Sequence, residues 1–294
     1  MFRSIIDDVK RAFETGNMVT RIVILNVVIY MITALLEAFM PETAATIVSW
    51  LAVPGEPLKL LTRPWTLITH MFIHSGFWHM GWNMLMFYWF GTITGDLLGD
   101  KRILPVYIMG GLVGAVAYIL SYQLVPGIGY MALGASAAVL ALVFAAVATA
   151  PDYNMRLLLI GDVKIKFIGL FILFFDLIGT KSGYNSGGHI AHIGGSLFGM
   201  AYVYLLRQGT DLSSYVNVVI NIFSQEQKPV SPRSKSKLRV EHKAENIRQR
   251  SDKNKLKADR QVIIDKILDK IRVSGYESLS EEEKETLFQA SKEN

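Results

Sequence analysis

Three short segments carry side chains that can do chemistry where lipid would not tolerate them without a reason. His70, His74, His79 and Asn83 fall in one stretch, Ser136 stands in Gly134-Ala135-Ser136-Ala137, and His189 and His192 precede Gly194-Gly195. A serine beside a histidine is a nucleophile with its base. An asparagine and a second histidine facing the same way can donate hydrogen bonds to an oxyanion. His79 and Asn83 are one helical turn apart and share a face. Each segment also has a plainer reading. Small residues such as Gly-Ala-Ser-Ala pack helices, a membrane histidine can simply bond a carbonyl, and His70 and His74 read as loop anchors. The histidines with Asp176 raise the question of a metal. The HExxH spacing is absent and Asp176 is expected elsewhere along its helix, so no metal is expected.

These residues must be held by elements that the composition already constrains. The chain has 294 residues, 51% hydrophobic and only 19% charged. Soluble domains carry about 25% charged residues. The balance excludes disorder, a collagen and an ordinary soluble enzyme, and favours a chain that meets lipid. There is no cysteine, which excludes disulfides, thiolate metal sites and a cysteine nucleophile. Between Ile103 and Pro151 no residue is charged, enough for two spans of about 20 residues, and Pro126-Gly127-Ile128-Gly129 supplies the turn between them. Together with the other apolar runs this predicts six membrane helices, near 20–40, 75–95, 104–124, 132–150, 164–180 and 187–206. The N-terminal segment is amphipathic without an apolar core, so the first span is expected to anchor the chain rather than a removable signal.

Six spans put both termini on one side. The short loops and N-terminus of that side hold nine Lys and Arg residues, against Lys59, Arg63 and Lys181 on the other. The excess predicts cytoplasmic termini, and the membrane is expected to be a cell (inner) membrane. The connection over 41–74 contains Trp50, Leu60, Leu61, Trp65 and Leu67, and is expected to lie partly in the outer interface, where tryptophan is favoured.

In this arrangement the polar residues cluster at one depth. His79 and Asn83 open span two, Ser136 lies about four residues into span four, and His189 and His192 open span six, all from the outer side. At 1.5 Å per residue Ser136 and His192 each lie about 6–8 Å below their helix starts. The small residues around Ser136, and Gly194, Gly195 and Gly199, allow spans four and six to approach closely. The coincidence of depth, more than any one residue, points to a site.

Beyond Arg207 the composition changes. The reading divides the chain into a segment 1–19, a membrane domain 20–207, a basic linker 208–260 and a helical hairpin 261–294. The linker is drawn to anionic lipid heads rather than to nucleic acid, since no groove-reading motif accompanies its charge. In the hairpin Ile263, Ile264, Ile267, Leu268 and Ile271 share a helical face, Gly275 fits a stop, and Ser280 with Glu283 forms a capping box. The hairpin either docks on its own protein or binds a partner.

With these residues in view, the chain resembles the rhomboid intramembrane serine proteases, of bacterial type with a C-terminal extension. His74 to Asn83 resembles the family's second span, with its His and Asn four apart. Gly134-Ala135-Ser136-Ala137 resembles the Gly-x-Ser-Gly nucleophile motif, and Ala191-His192-Ile193-Gly194-Gly195-Ser196-Leu197-Phe198-Gly199 the last-span motif. The resemblance covers about 15–207. It implies an all-α, six-helix bundle with a small cytosolic helical tail, and an endopeptidase that cleaves transmembrane substrates near the outer face without a cofactor. Ser136 would be the nucleophile and His192 its base, a dyad with no acid. His79 and Asn83 would line the oxyanion hole with the Ser136 N–H, and Gly134, Gly195 and Gly199 would shape the packing. Substrate would arrive sideways from the bilayer through a gate that the sequence does not choose between spans two and five and the 41–74 connection. Three departures stand out: Ala137 follows the serine in place of Gly, Thr66 follows Trp65 where many relatives have Arg, and Leu140 replaces an aromatic ring, leaving His192 oriented by packing alone. The alternative is a non-catalytic relative that binds and escorts membrane helices.

Overall fold

Each apolar run of the sequence becomes a helix, and each interruption has a local cause. The computed structural model describes residues 2–158, 160–183, 185–223, 263–267, 269–272 and 279–292. An amphipathic helix α1 (Phe2–Thr15) leads to α2 (Met18–Phe39), whose start is fixed by Asn17 Oδ1 accepting the Thr20 N–H at 2.9 Å. The 41–74 connection folds into α3 (Pro41–Leu51), strand β1 (Val53–Pro54), single turns α4 (Lys59–Thr62) and α5 (Thr66–Thr69), and a 3₁₀ turn at His70–Phe72. Then come α6 (Phe77–Leu98), α7 (Ile103–Leu124), strand β2 (Met131–Ala132) and α8 (Ser136–Thr149). A hairpin of β3 (Asn154–Leu157) and β4 (Gly161–Lys164) precedes α9 (Ile165–Gly179), α10 (Ser186–Arg207) and α11 (Ser213–Phe223).

The six predicted spans are α2, α6, α7, α8, α9 and α10. By length and apolarity three suffice to cross a membrane: Met18–Phe39, Asp100–Leu124 and Ser186–Arg207. Helix α8 has 14 residues, about 21 Å, short of a hydrocarbon core of about 30 Å. It is the centre of the bundle. Every residue from Ala137 to Ala146 is buried, and α6, α7, α9 and α10 pack around it. An all-apolar helix belongs there, because no face of it has to meet water. Helix α9 is the opposite case. It buries Gly169, Asp176 and Gly179 and turns Phe167, Leu170, Phe171 and Phe174 outward, as a lipid-facing helix does.

The long connection is tied to the site. Strand β1 pairs antiparallel with β2, Val53 opposite Ala132, and the Gly134 N–H donates to the His70 carbonyl at 2.9 Å. Trp50 and Trp65 stack with centroids 6.2 Å apart, and the Arg63 guanidinium lies 4.0 Å from the Trp50 ring. Leu58 and Leu61, in the same connection, are 78% and 81% exposed.

The chain forms two compact units, 1–226 and 227–294. In the second, residues 263–267 and 269–272 are helical, and a further helix runs Glu281–Lys292. The capping box forms: Ser280 N–H donates to Glu283 Oε2 at 2.8 Å and Glu283 N–H to Ser280 Oγ at 3.3 Å. Ile267 and Leu279 are buried, and Lys270 pairs with Glu283 at 2.7 Å. Leu268, Gly275 and most of the basic linker lie outside the described residues.

Candidate active site

Ser136 is the first residue of α8, not the fourth as the sequence suggested. Strand β2 ends at Ala132, and Gly134, between strand and helix, turns the chain with φ +120°, a value that disfavours any side chain. The first intrahelical donor is Val139, whose N–H reaches the Ala135 carbonyl. The N–H groups of Ser136, Ala137 and Ala138 therefore have no partner within the helix, at the positive end of its dipole.

Helix α10 brings its histidines to this point. His192 Nε2 lies 2.6 Å from Ser136 Oγ. Its other nitrogen, Nδ1, lies 2.7 Å from Asp176 Oδ1, and His189 Nδ1 lies 2.8 Å from the same oxygen. The Asp176 side chain is 7% exposed. The expectations that Asp176 sits elsewhere along its helix, and that His192 is oriented by packing alone, are therefore corrected. Helices α9 and α10 form an antiparallel hairpin. Asp176 is three residues before the end of α9, and His189 and His192 are three and six residues into α10. Counting from the connection rather than along the chain places all three at one level. The signal was present: Asp176 and Gly179, like His189 and His192, are spaced i, i+3 and share a face.

Close backbone contact makes the Ser136–His192 distance possible. A methyl on Gly195 would lie 2.1 Å from the Ala137 carbonyl oxygen, and one on Gly199 the same distance from that of Ala141. Ala137, the departure next to the serine, has its own place. A methyl on Gly114 of α7 would fall 2.4 Å from the Ala137 methyl, so the bulk gained at 137 is met by bulk absent at 114. Leu140 is buried in the core of α8.

His79 reaches the same small space. A methyl on Gly134 would lie 2.8 Å from His79 Nε2 and 3.8 Å from Ser136 Oγ. The His79 Nδ1 is 3.0 Å from the Ser75 hydroxyl. Asn83 is buried one turn further along, but its amide donates to the His79 carbonyl at 2.8 Å, back onto its own helix. His70 is a loop anchor, with Nδ1 2.9 Å from the Thr66 carbonyl. Burial pushes the His70 ring down to about 4, against weaker pulls from the Thr66 and Leu67 backbone. His74, edge-on to His79 at 5.2 Å, is also pushed down to about 4, by burial first and by His79 second, with the Phe72 backbone pulling the other way. A cavity of about 30 Å³ opens beside Ser136, lined by Gly114, Ala115, Tyr118, Ala137 and Ala191.

This constellation can be compared with known families. Residues 61–209 match the rhomboid domain, half of the chain. The chain belongs to the rhomboid family. Rhomboids are membrane proteins, generally serine proteases that act on transmembrane proteins within the bilayer. A second stretch, residues 251–293, matches a family of unknown function (DUF6576). Among curated proteins, this rhomboid is 29% identical over 156 residues to the mitochondrial presenilin-associated rhomboid-like protein of Homo sapiens, covering 49% of this chain and 38% of that protein. It is 27% identical over 163 residues to the mitochondrial RHOMBOID-like protein 12 of Arabidopsis thaliana, covering 49% and 47%. It is 24% identical over 156 residues to the mitochondrial Rhomboid protein 1 of Saccharomyces cerevisiae, covering 51% and 44%. The matched region spans less than half the length of each relative.

These names overturn the expected location, a cell membrane with cytoplasmic termini and an outward-opening site. All three relatives are named mitochondrial, and they point away from a bacterial cell membrane. The reason is physical. A Lys and Arg excess orients a chain relative to the side from which it inserts, and carries no information on which membrane that is.

Proposed function

We propose that this rhomboid is a serine endopeptidase that hydrolyses peptide bonds in transmembrane segments, with Ser136 as nucleophile and His192 as general base. The 2.6 Å contact between His192 Nε2 and Ser136 Oγ, at a helix start buried in the bundle, carries the reading. The names of the relatives support a mitochondrial membrane as its setting.

Hydrolysis needs water and an extended peptide, and a helix in lipid offers neither. The substrate end must therefore unwind at the end of the bundle where α8 and α10 begin. Ser136 Oγ attacks the carbonyl carbon as its proton passes to His192 Nε2. The new oxyanion is met by the Ser136 N–H and by His79. Asn83 joins them once its amide leaves the His79 carbonyl, a single rotamer change. The C–N bond then breaks, His192 gives its proton to the leaving amine, and water repeats the sequence on the acyl-enzyme. Each donor at the oxyanion is worth more here than in bulk water, because the site is partly buried in the bundle.

A fluorophosphonate probe tests this without knowledge of the substrate. The full chain should be labelled at Ser136, read by peptide mass mapping, and the adduct should vanish in His192→Ala. A folded protein that takes no label would favour a rhomboid that binds and escorts membrane helices without cutting them.

A further inference from the structure

The cluster formed by Asp176, His189 and His192 goes beyond a nucleophile and its base. We propose that Asp176 is a positioning residue that turns the Ser136–His192 pair into a three-membered relay, with His189 as the second donor that holds its carboxylate. The inference rests on the protease reading above.

The argument begins with the tautomer. A neutral imidazole has one N–H and one lone pair. To accept the Ser136 proton at Nε2, His192 must carry its own proton on Nδ1. Left to packing, the ring could take either tautomer or flip. Asp176 Oδ1 stands 2.7 Å from Nδ1, and a carboxylate accepts but does not donate when ionised. It therefore holds the proton on Nδ1 and leaves the Nε2 lone pair facing Ser136. A buried carboxylate beside the histidine does here what the notable absence of an aromatic ring at Leu140 leaves undone.

Charge supplies the second step. Asp176 is buried, and its Oδ2 has no hydrogen-bond partner among the described residues. Both imidazole donors fall on Oδ1. A carboxylate so poorly solvated gains most when a positive charge forms next to it. That happens when His192 takes the serine proton, so the attraction grows on the way to the transition state and lowers the barrier rather than merely tightening the resting state. The proton stays on His192. Asp176 is not protonated in the step, and the proton goes on to the leaving amine.

The surroundings are shaped for this arrangement. His189 lies against Gly179, where a methyl would come within 2.5 Å of its ring. Helix α9 thus offers an acid at 176 and a gap at 179, and α10 fills them with His192 and His189. The connection between the two helices is short, so the hairpin itself fixes the register. Ligand atoms of the same three residues lie within 4.8 Å of one another, a spacing that a cation could use. Both imidazole nitrogens are instead committed to one carboxylate oxygen, the pattern that two N–H donors make.

The test compares full-length wild type with Asp176→Asn, which keeps shape and packing but presents an amide that can donate to Nδ1 and so favours the wrong tautomer. Saturable fluorophosphonate kinetics at Ser136 separate the acylation step from probe binding. Asp176→Asn should slow the maximal acylation rate about 100-fold or more while half-saturation changes by less than about threefold. A residue that only packed α9 on α10 would leave the isosteric variant at the wild-type rate, and that result overturns the proposal. Should the variant not fold, imidazole ¹⁵N–¹H correlation spectra of the unmutated protein decide. His192 must be protonated at Nδ1 with a low-field resonance; a neutral ring protonated at Nε2 overturns the relay. Acylation abolished by EDTA and restored by zinc would give the cluster to a metal and also overturn it. Failure of the protease reading looks different, because wild type itself then takes no label at Ser136.

Discussion

Gly195 of α10 lies against the Ala137 carbonyl of α8 so closely that a methyl there would stand 2.1 Å from the oxygen. The obstacle is backbone, which cannot swing aside as a side chain does. Gly195→Ala must therefore push the two helices apart, at the place where one carries Ser136 and the other His192. Overpacking of this kind costs about 1–3 kcal/mol. We expect a lower melting temperature and a loss of Ser136 labelling larger than the stability change accounts for. Labelling at the wild-type rate in a folded variant would mean that helix separation does not govern the Ser136–His192 contact.

Gly134 makes a second prediction, from conformation as well as space. Its φ of +120° is strained for any L side chain, and a methyl would fall 2.8 Å from the His79 ring. Gly134→Ala should displace both the turn into α8 and His79. The expected result is a fall in acylation rate and a loss of about 1–3 kcal/mol of stability, read as a lower melting temperature. A control at Gly127, also at positive φ but with nothing nearby, isolates the contribution of His79. Gly127→Ala should lose some stability and keep its labelling.

The roles at the oxyanion separate by magnitude. Ser136→Ala and His192→Ala should each abolish labelling and cleavage with the fold intact. Asn83→Ala should lower turnover about 100-fold or less, since His79 and the Ser136 N–H remain. Because the Asn83 amide rests on the His79 carbonyl, its effect should fall on turnover rather than on substrate affinity. Steady-state kinetics on a fluorogenic transmembrane peptide would check this, and an unchanged turnover number would remove Asn83 from the oxyanion site.

Much of this architecture could be read from residue types alone, for reasons that also mark where reading stopped. The helices α2, α6, α7 and α10 follow from uncharged runs long enough to span, and Ser136 and His192 from polar residues at one depth. Asp176 was missed because depth was judged along the chain, whereas an antiparallel hairpin folds the end of α9 onto the start of α10. The true start of α8 is hidden in the sequence because Ala132, Leu133 and Ala135 are good helix formers. The strand pairing of Ala132 with Val53, some 80 residues away in sequence, stops the helix there and has no local signature. The same holds for the turns within 41–74 and the hairpin at Asn154–Lys164, where tertiary contact rather than hydrophobic period decides the backbone.

The buried loop histidines make the last prediction, one of stability against pH. His70 and His74 are pushed down to about 4 in the folded protein, chiefly by burial, from an ordinary value of 6.5. Between those limits the unfolded chain binds protons that the folded chain refuses. Their contribution to stability is therefore fully present above about pH 6.5 and is lost as pH falls towards 4. The loss should begin at the loop they anchor, because His70 carries the hydrogen bonds to Thr66 and to Gly134. Release of Gly134 frees the turn that presents Ser136, so labelling should decline before the bundle melts. Following Ser136 labelling and melting temperature together from pH 7.5 to 4.5 checks the order. His70→Gln, which keeps a hydrogen-bonding side chain without a titrating ring, should flatten the acid decline of labelling. An equally steep decline in that variant would assign the acid sensitivity to groups other than His70.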